Sequence, residues 1–367
     1  MRNLAVIARL SRQPSICRPV ARNTVLSLST VSIPRSRTLA LRDVAAITRN
    51  HSTASSRQDV TNKALTRLHE DDELLLCSQC GTQHDAKAAD GLNECHICND
   101  PRESVPATGQ AWTTLDQAQT SGKFKNIIRQ QYPNEPHIYT IQTQSILGIG
   151  QRCFLIRTPK GNILWDCLAY IDDATVKEIN ALGGVDTISI SHPHFWTTHL
   201  TWSRAFNNAP VYLSAEESQL VSRPDVHGVR RFVKEKEFEL LPGSGATRIK
   251  TGGHFPGSSV LHYKKSMFVS DSLHVTRSAL WDIDRKPGTA YYAFLWSHVN
   301  TIPLTPDAIA GIISAINPYD FDVAHGMFPD RDLRNAKQRA FDSARVVINA
   351  MGHDAEQYLK NVSLVPR

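Results

Sequence analysis

What the chain lacks narrows it first. No run of ~18 apolar residues occurs among its 367 positions, so no membrane-spanning helix is expected. No internal repeat is evident. The first 58 residues have no lysine and one acid, Asp43, against ten arginines. Arg9, Arg12, Arg18 and Arg22 interrupt the apolar residues there, which argues against a secretory signal. A basic, hydroxylated, acid-poor start of this kind reads as a mitochondrial presequence, cut near Arg49 to Arg57, with the product in the matrix. The leader carries +9 of charge, so the remaining residues sum to −3 beneath a whole-chain net of +6. The basic balance belongs to the leader, and no nucleic-acid partner is expected.

Cysteine is scarce, at seven residues, and four of them form two tight pairs. Cys77-Ser-Gln-Cys80 and Cys95-His-Ile-Cys98 are separated by fourteen residues. That spacing lets two thiolate knuckles close on one zinc, and Gly81 permits the turn after the first pair. Four thiolates fill a tetrahedral sphere, so Cys77, Cys80, Cys95 and Cys98 are read as a structural zinc ribbon over 70–105, open to a protein partner. Residues 106–145 are rich in Gln, Thr and Pro and read as a segment wrapping the next domain.

The pattern changes from Ile146. Cys153–Thr158 and Asn162–Cys167 read as strands joined by Pro159-Lys160-Gly161. Asp172 or Asp173 caps a helix to Leu182, closed by Gly183-Gly184. Thr187–Ser191 is a short buried strand. Leu200–Phe206 and Ala215–Val221 read as helices around a strand at Val211–Leu213. Strands follow near Phe238–Leu241, Thr247–Lys250, Ser259–Tyr263 and Met267–Ser270. Thr305-Pro306-Asp307 opens a helix to Ile316, a strand occupies Asp322–Ala324, and a long helix spans about Asp330–Met351. Hairpins first, then strands mixed with helices, predict an α/β (α+β) chain with two sheets and helices outside, over 146–330, with 331–367 a C-terminal helix and tail.

Chemistry gathers at strand ends. Ser191-His192-Pro193-His194 follows a strand, and Pro193 keeps the peptide extended so that both imidazoles project toward one point. His254 lies in a glycine-rich turn, Asp271 ends Met-Phe-Val-Ser-Asp, and His325 ends Phe-Asp-Val-Ala-His. Each follows an apolar strand with a ligand-capable side chain, the arrangement a zinc or iron ion needs.

On these residues the chain resembles the metallo-β-lactamase superfamily over roughly 145–330. The resemblance implies an αββα sandwich with metal at strand ends in a cleft. That family's His-x-His-x-Asp-His motif is matched by His192 and His194, and its Gly-His-x-Pro-Gly turn by Gly253, His254, Pro256 and Gly257. Its metal-bridging aspartate is similar to Asp271, its last histidine to His325, and its early structural aspartate to Asp166. Where the family has Asp-His, this chain has Trp196-Thr197, which cannot hold a second ion. The resemblance therefore implies one Zn2+ or Fe2+ on His192, His194 and His254. Asp271 is then a fourth ligand or acid/base group, and Trp196 fills the space of the second ion. His199 is the residue that could substitute spatially for the missing motif pair.

The function expected is a metal-dependent hydrolase of a small ester, thioester or lactone. One rival is an oxidoreductase like the persulfide dioxygenases of the superfamily, with iron on His192, His254 and Asp271. The other is a non-catalytic scaffold that binds metal or ligand in a degenerate cleft.

Overall fold

The computed structural model describes residues 71–130, 132–281 and 285–362. The arginine-rich segment 1–58 lies outside them. Among the described residues no helix is long and apolar enough to cross a membrane.

The first sheet has seven strands in sequence order: β1 Lys125–Arg129, β2 Ile138–Gln144, β3 Arg152–Thr158, β4 Gly161–Trp165, β5 Thr187–Ser189, β6 Val211–Ser214 and β7 Arg230–Val233. β1 to β4 pair antiparallel through turns, and β4 to β7 pair parallel. Parallel neighbours need crossovers. Helices α2 Asp173–Ala181 and α3 His199–Ala205 occupy two of them; a shorter helix, α1 Leu115–Thr120, precedes the sheet. The Asp172 carboxylate accepts from the Thr175 main-chain N–H at 2.8 Å, so of the two caps left open by the sequence it is Asp172 that starts α2.

The second sheet also runs in sequence order: β8 Glu237–Glu239, β9 Thr247–Lys250, β10 Ser259–Tyr263, β11 Ser266–Val269, β12 Val323–Gly326 and β13 Asp332–Arg334. Only β11 and β12 pair parallel, and α4 Pro306–Ile316 lies between them in the chain. Helices α5 Ala336–Ala350 and α6 Ala355–Leu359 follow β13.

Strand alternation explains the layers. Phe154, Ile156, Ile163 and Trp165 face Leu261, Tyr263 and Phe268 between the sheets. Their neighbours Cys153, Leu155 and Leu164 turn the other way, onto Val176, Ile179 and Trp202 of α2 and α3. On the far side Val260, Met267 and Val269 meet Ile309, Ile312 and Ile313 of α4 and Ala340, Ala344 and Ile348 of α5. Helix, sheet, sheet, helix: this is the αββα sandwich.

Three boundaries differ from the expectation. Residues 106–145 are no mere wrapping segment, because α1, β1 and β2 lie within them; β1 is a half-exposed edge strand whose polar residues hide its period. The C-terminal segment is part of the domain, since α5 seals the second core. That helix begins at Ala336 rather than Asp330 because Asp332–Arg334 is taken up by an antiparallel edge strand against β12. Ala215–Leu220 forms tight 3-10 turns in place of an α-helix.

The four-cysteine module does not hang free. Gln83 N donates to the Thr197 oxygen at 3.3 Å and Asp85 N to that of Ser222 at 3.2 Å. Gly81 has a φ of +79°, and a Cβ there would stand 2.6 Å from that of Ala169. Only glycine meets both demands. Asp71 is paired with Arg204 and, at 2.8 Å, with Arg223.

Candidate metal centre

The cysteines come together as expected. Their sulfurs lie within 4.8 Å of one another, with Cys77 to Cys98 at 3.5 Å and Cys80 to Cys95 at 3.6 Å. A tetrahedral ion with sulfur at about 2.3 Å needs sulfur edges near 3.8 Å, and these two edges fall within a few tenths of an ångström of that. Donors surround it: Gln110 Nε2 lies 3.0 Å from Cys77 Sγ and His84 Nε2 3.3 Å from Cys95 Sγ.

The second group is built by loops at strand ends. His192 continues the line of β5 with φ −165°, and Pro193 opens the short turn Pro193–Phe195 that swings His194 beside it. His254 sits in the turn between β9 and β10. There Gly253 has a φ of +92°, and its missing Cβ would lie 2.8 Å from Ile312 Cδ1. Asp271 opens the turn that follows β11. All four are buried, and their ligand atoms lie within 4.8 Å of one another.

Asp271 Oδ2 is 3.1 Å from His192 Nε2, 4.0 Å from His194 Nδ1 and 3.6 Å from His254 Nε2. His254 Nε2 and His194 Nδ1 are 3.0 Å apart. Ligands at 2.0–2.1 Å from a tetrahedral ion stand about 3.3 Å from each other, inside this spread. His192 Nε2 is buried without a hydrogen bond, although Asp271 is so near. The outer ring atoms orient the inner ones: His254 Nδ1 donates to the Trp296 oxygen at 2.8 Å, which leaves Nε2 with its lone pair. Ser191 Oγ is 2.9 Å from His192 Nδ1, and Asp166 Oδ1 accepts from Ser191 N at 2.7 Å.

Electrostatics agree. Burial pushes His194 down to about 4, outweighing Asp271, and pushes His254 well below the usual range. Burial would raise Asp271, but His298 and His192 hold it well below the usual carboxylate value. Neutral imidazoles beside an ionised carboxylate are the protonation state that a cation requires.

One carboxylate here was not foreseen. Glu103 Oε1 lies 3.2 Å from His194 Nδ1 and is largely buried. Burial, then the charge of Asp271, pushes it up to about 7. It arrives from the four-cysteine module: Arg102 Nε donates to the His254 oxygen at 2.8 Å, and its guanidinium lies 4.3 Å from the centre of the Phe255 ring. No local pattern marks Glu103, because its partner His194 lies 91 positions onward.

Three expected positions fall elsewhere. His325 is not in the group. Its Cα pairs with that of Phe268, three residues before Asp271, which sets it ~10 Å back along the strands. There it lies 2.9 Å from Asp332 Oδ1 and 3.2 Å from Glu135 Oε2, with Arg152 Nη2 2.7 Å from the same Asp332 oxygen. His199 is also outside: Trp196 O is 2.8 Å from its Nδ1, and Arg230 Nε donates to its Nε2 at 2.9 Å. Trp196 packs with Phe195 and Leu200 in the core under the first sheet, so it does not narrow the cleft. Thr197 spends its hydroxyl on the Leu168 oxygen at 3.0 Å and its carbonyl on Gln83. Of the two residues that depart from the motif, Thr197 seats the cysteine module and Trp196 belongs to the core.

The His325 cluster has a pH signature. Burial would raise Asp332, yet His325 and Arg152 hold it down to about 2. Burial would lower His325, but Asp332 and Glu135 raise it. The Asp332 contribution, about 2 kcal/mol, is present above pH ~4 and is lost as pH falls toward 2. The His325 contribution is present below pH ~6.5 and is lost as pH rises through the raised folded value. Urea unfolding should therefore show the stability gap between wild type and His325→Gln shrinking from pH 6 to pH 9. A gap that is constant over that span would contradict the assignment.

No family profile matches the chain. The uncharacterised protein YmaE of Bacillus subtilis (strain 168) is 33% identical over 285 residues, covering 76% of this chain and 97% of that one. Similar solved structures include the DIM-1 metallo-β-lactamase, at 12% identity and TM-score 0.44, and TMB-1, at 12% and 0.45. Each match covers 61% of this chain and 98% of the other. A flavoprotein of Thermotoga maritima, at 15% and 0.37, is covered to 60%, as is this chain. The chemistry of the site rests on its own side chains. With a third of its aligned residues shared along nearly all of the Bacillus protein, the chain belongs to the same family as YmaE, and it does so on an αββα sandwich.

Proposed function

We propose that the chain is a zinc-dependent hydrolase of small esters, thioesters or lactones, acting in the mitochondrial matrix. The observation that carries the reading is the convergence of three imidazole nitrogens and one carboxylate oxygen at tetrahedral spacing. A divalent ion there would polarise a carbonyl and lower the pKa of water toward ~7. His192, His194 and His254 would hold it as neutral donors, and Asp271 would supply the negative charge. Glu103, beside His194 and largely buried, is placed to take a proton from water and return it to the leaving group. Arg102 keeps Glu103 in place through His254 and Phe255. The four cysteines would hold a second, purely structural zinc.

The iron-dependent oxidoreductase would use His192, His254 and Asp271 and leave His194 aside. His194 Nδ1 stands as close to His254 as His192 does to Asp271, which favours four ligands and zinc. The test is a panel of chromogenic thioesters, lactones and esters against zinc-loaded protein. Turnover should vanish with chelator and return with zinc. Glu103→Gln should keep its metal and lose about 10²–10⁴-fold in kcat. Zinc-loaded protein inert to the whole panel, or a fully active Glu103→Gln, would overturn the reading.

A further inference from the structure

We propose that the cleft holds a second divalent cation, bound by Asp271, His274 and His298, with the two carboxylate oxygens of Asp271 divided between the two ions. The inference rests on the reading of the His192 group as a metal site.

The division is visible in the geometry. His192, His194 and His254 approach Asp271 from its Oδ2 side, at 3.1, 4.0 and 3.6 Å. His298 Nε2 approaches Oδ1, at 3.5 Å. His274 completes a second group whose ligand atoms lie within 4.8 Å of one another. Its Nδ1 is buried with no hydrogen-bond partner, an orphan that a cation would satisfy. The His274 and His298 rings are 4.8 Å apart between centres.

The local fold is built to present these two rings. His274 belongs to the short strand His274–Val275, paired with Tyr292–Ala293, and His298 follows the strand Leu295–Ser297, paired with Ile302–Pro303. Both small ladders lie between β11 and α4, in the stretch that also carries Trp296, whose carbonyl orients His254. The Trp196-Thr197 positions cannot serve a second ion, since one is in the core and the other seats the cysteine module. The replacement ligands therefore come from a different part of the chain.

Nε2 of His298 also lies 3.0 Å from the main-chain oxygen of Asp271. Binding the cation exchanges that hydrogen bond for a coordination bond, which makes this the weaker of the two cleft sites. Three protein ligands leave positions open to water and to an oxygen-rich or anionic substrate group.

The experiment is zinc titration of the chelator-stripped full chain, counted by elemental analysis. Wild type should take up three equivalents, one in the cysteine group and two in the cleft. His274→Ala/His298→Ala should take up two. With Mn(II) in the cleft, wild type should give the spin-coupled spectrum of a pair with a shared carboxylate, and the double variant the spectrum of an isolated ion. His274→Gln and His298→Asn, checked for an unchanged unfolding midpoint, should each weaken only the third equivalent, by more than about 100-fold, the upper range for even an outer hydrogen-bond partner. Two equivalents in wild type, or three in the double variant, would overturn the second site and leave the hydrolase reading intact. One equivalent in wild type would overturn both.

Discussion

Replacing His254 by alanine should weaken the first cleft ion by more than about 100-fold and abolish turnover, while the fold persists. The imidazole is one of four ligands, and the cavity left behind offers water in place of a neutral nitrogen donor. His254 contributes little to the apolar cores, so unfolding in denaturant should shift modestly. His325→Ala should do the reverse. Metal content should be unchanged, because the residue touches Asp332 and Glu135 and no member of the ligand group. Stability should fall by about 3–5 kcal/mol, since Arg152, Asp332 and Glu135 would keep their charges in a largely buried setting without the central partner. Metal titration and urea unfolding of both variants, run side by side, decide the matter. Equal metal loss in the two would mean that His325 ligates and that the strand register misplaces it.

The other large effect is expected from Cys95→Ser. Structural zinc in small modules accounts for about 10–16 kcal/mol of apparent binding energy, and the fully buried cluster at the centre of the module is its four sulfurs and Ile97, with Trp112, Ile149 and Leu220 packed against it. Losing one thiolate should release one zinc and free residues 71–105 to exchange backbone hydrogens rapidly. The two sheets, each with its own packed layers, should hold. Activity should nonetheless drop by about 10²–10⁴-fold, because Glu103 and Arg102 reach the cleft only while the module is docked. Loss of turnover with retained cleft metal is the distinguishing result. Unchanged zinc content would refute the four-cysteine site, and unchanged turnover would show that Glu103 does no chemistry.

Local pattern sufficed wherever the determining contacts lie within a few residues. Two thiolate pairs at ribbon spacing name their own site, and a strand, a proline and two flanking histidines announce His192 and His194. The Asp172 and Thr305 caps marked helices that begin there, since a cap is a contact over three positions. Buried strands such as Arg152–Thr158 are apolar on both faces and could hardly be missed.

What the tertiary structure decided has a common cause: separation in the chain. Asp271 could be placed at a strand end from sequence, but which of its oxygens faces which histidine depends on two ladders folded between β11 and α4. His325 shares the strand-end context of the true ligands. Its register against Phe268 turns it into the layer between the sheets, and register is a property of pairing across 57 residues. Glu103 is the plainest case. Nothing near it in sequence points to the cleft, and it enters there because Gly81, Gln83 and Thr197 let a cysteine module lie against a sandwich built from residues far beyond it. Periodicity, capping and ligand spacing are encoded by neighbours. The direction of a side chain at the end of a strand is set by whatever the completed fold brings up against it.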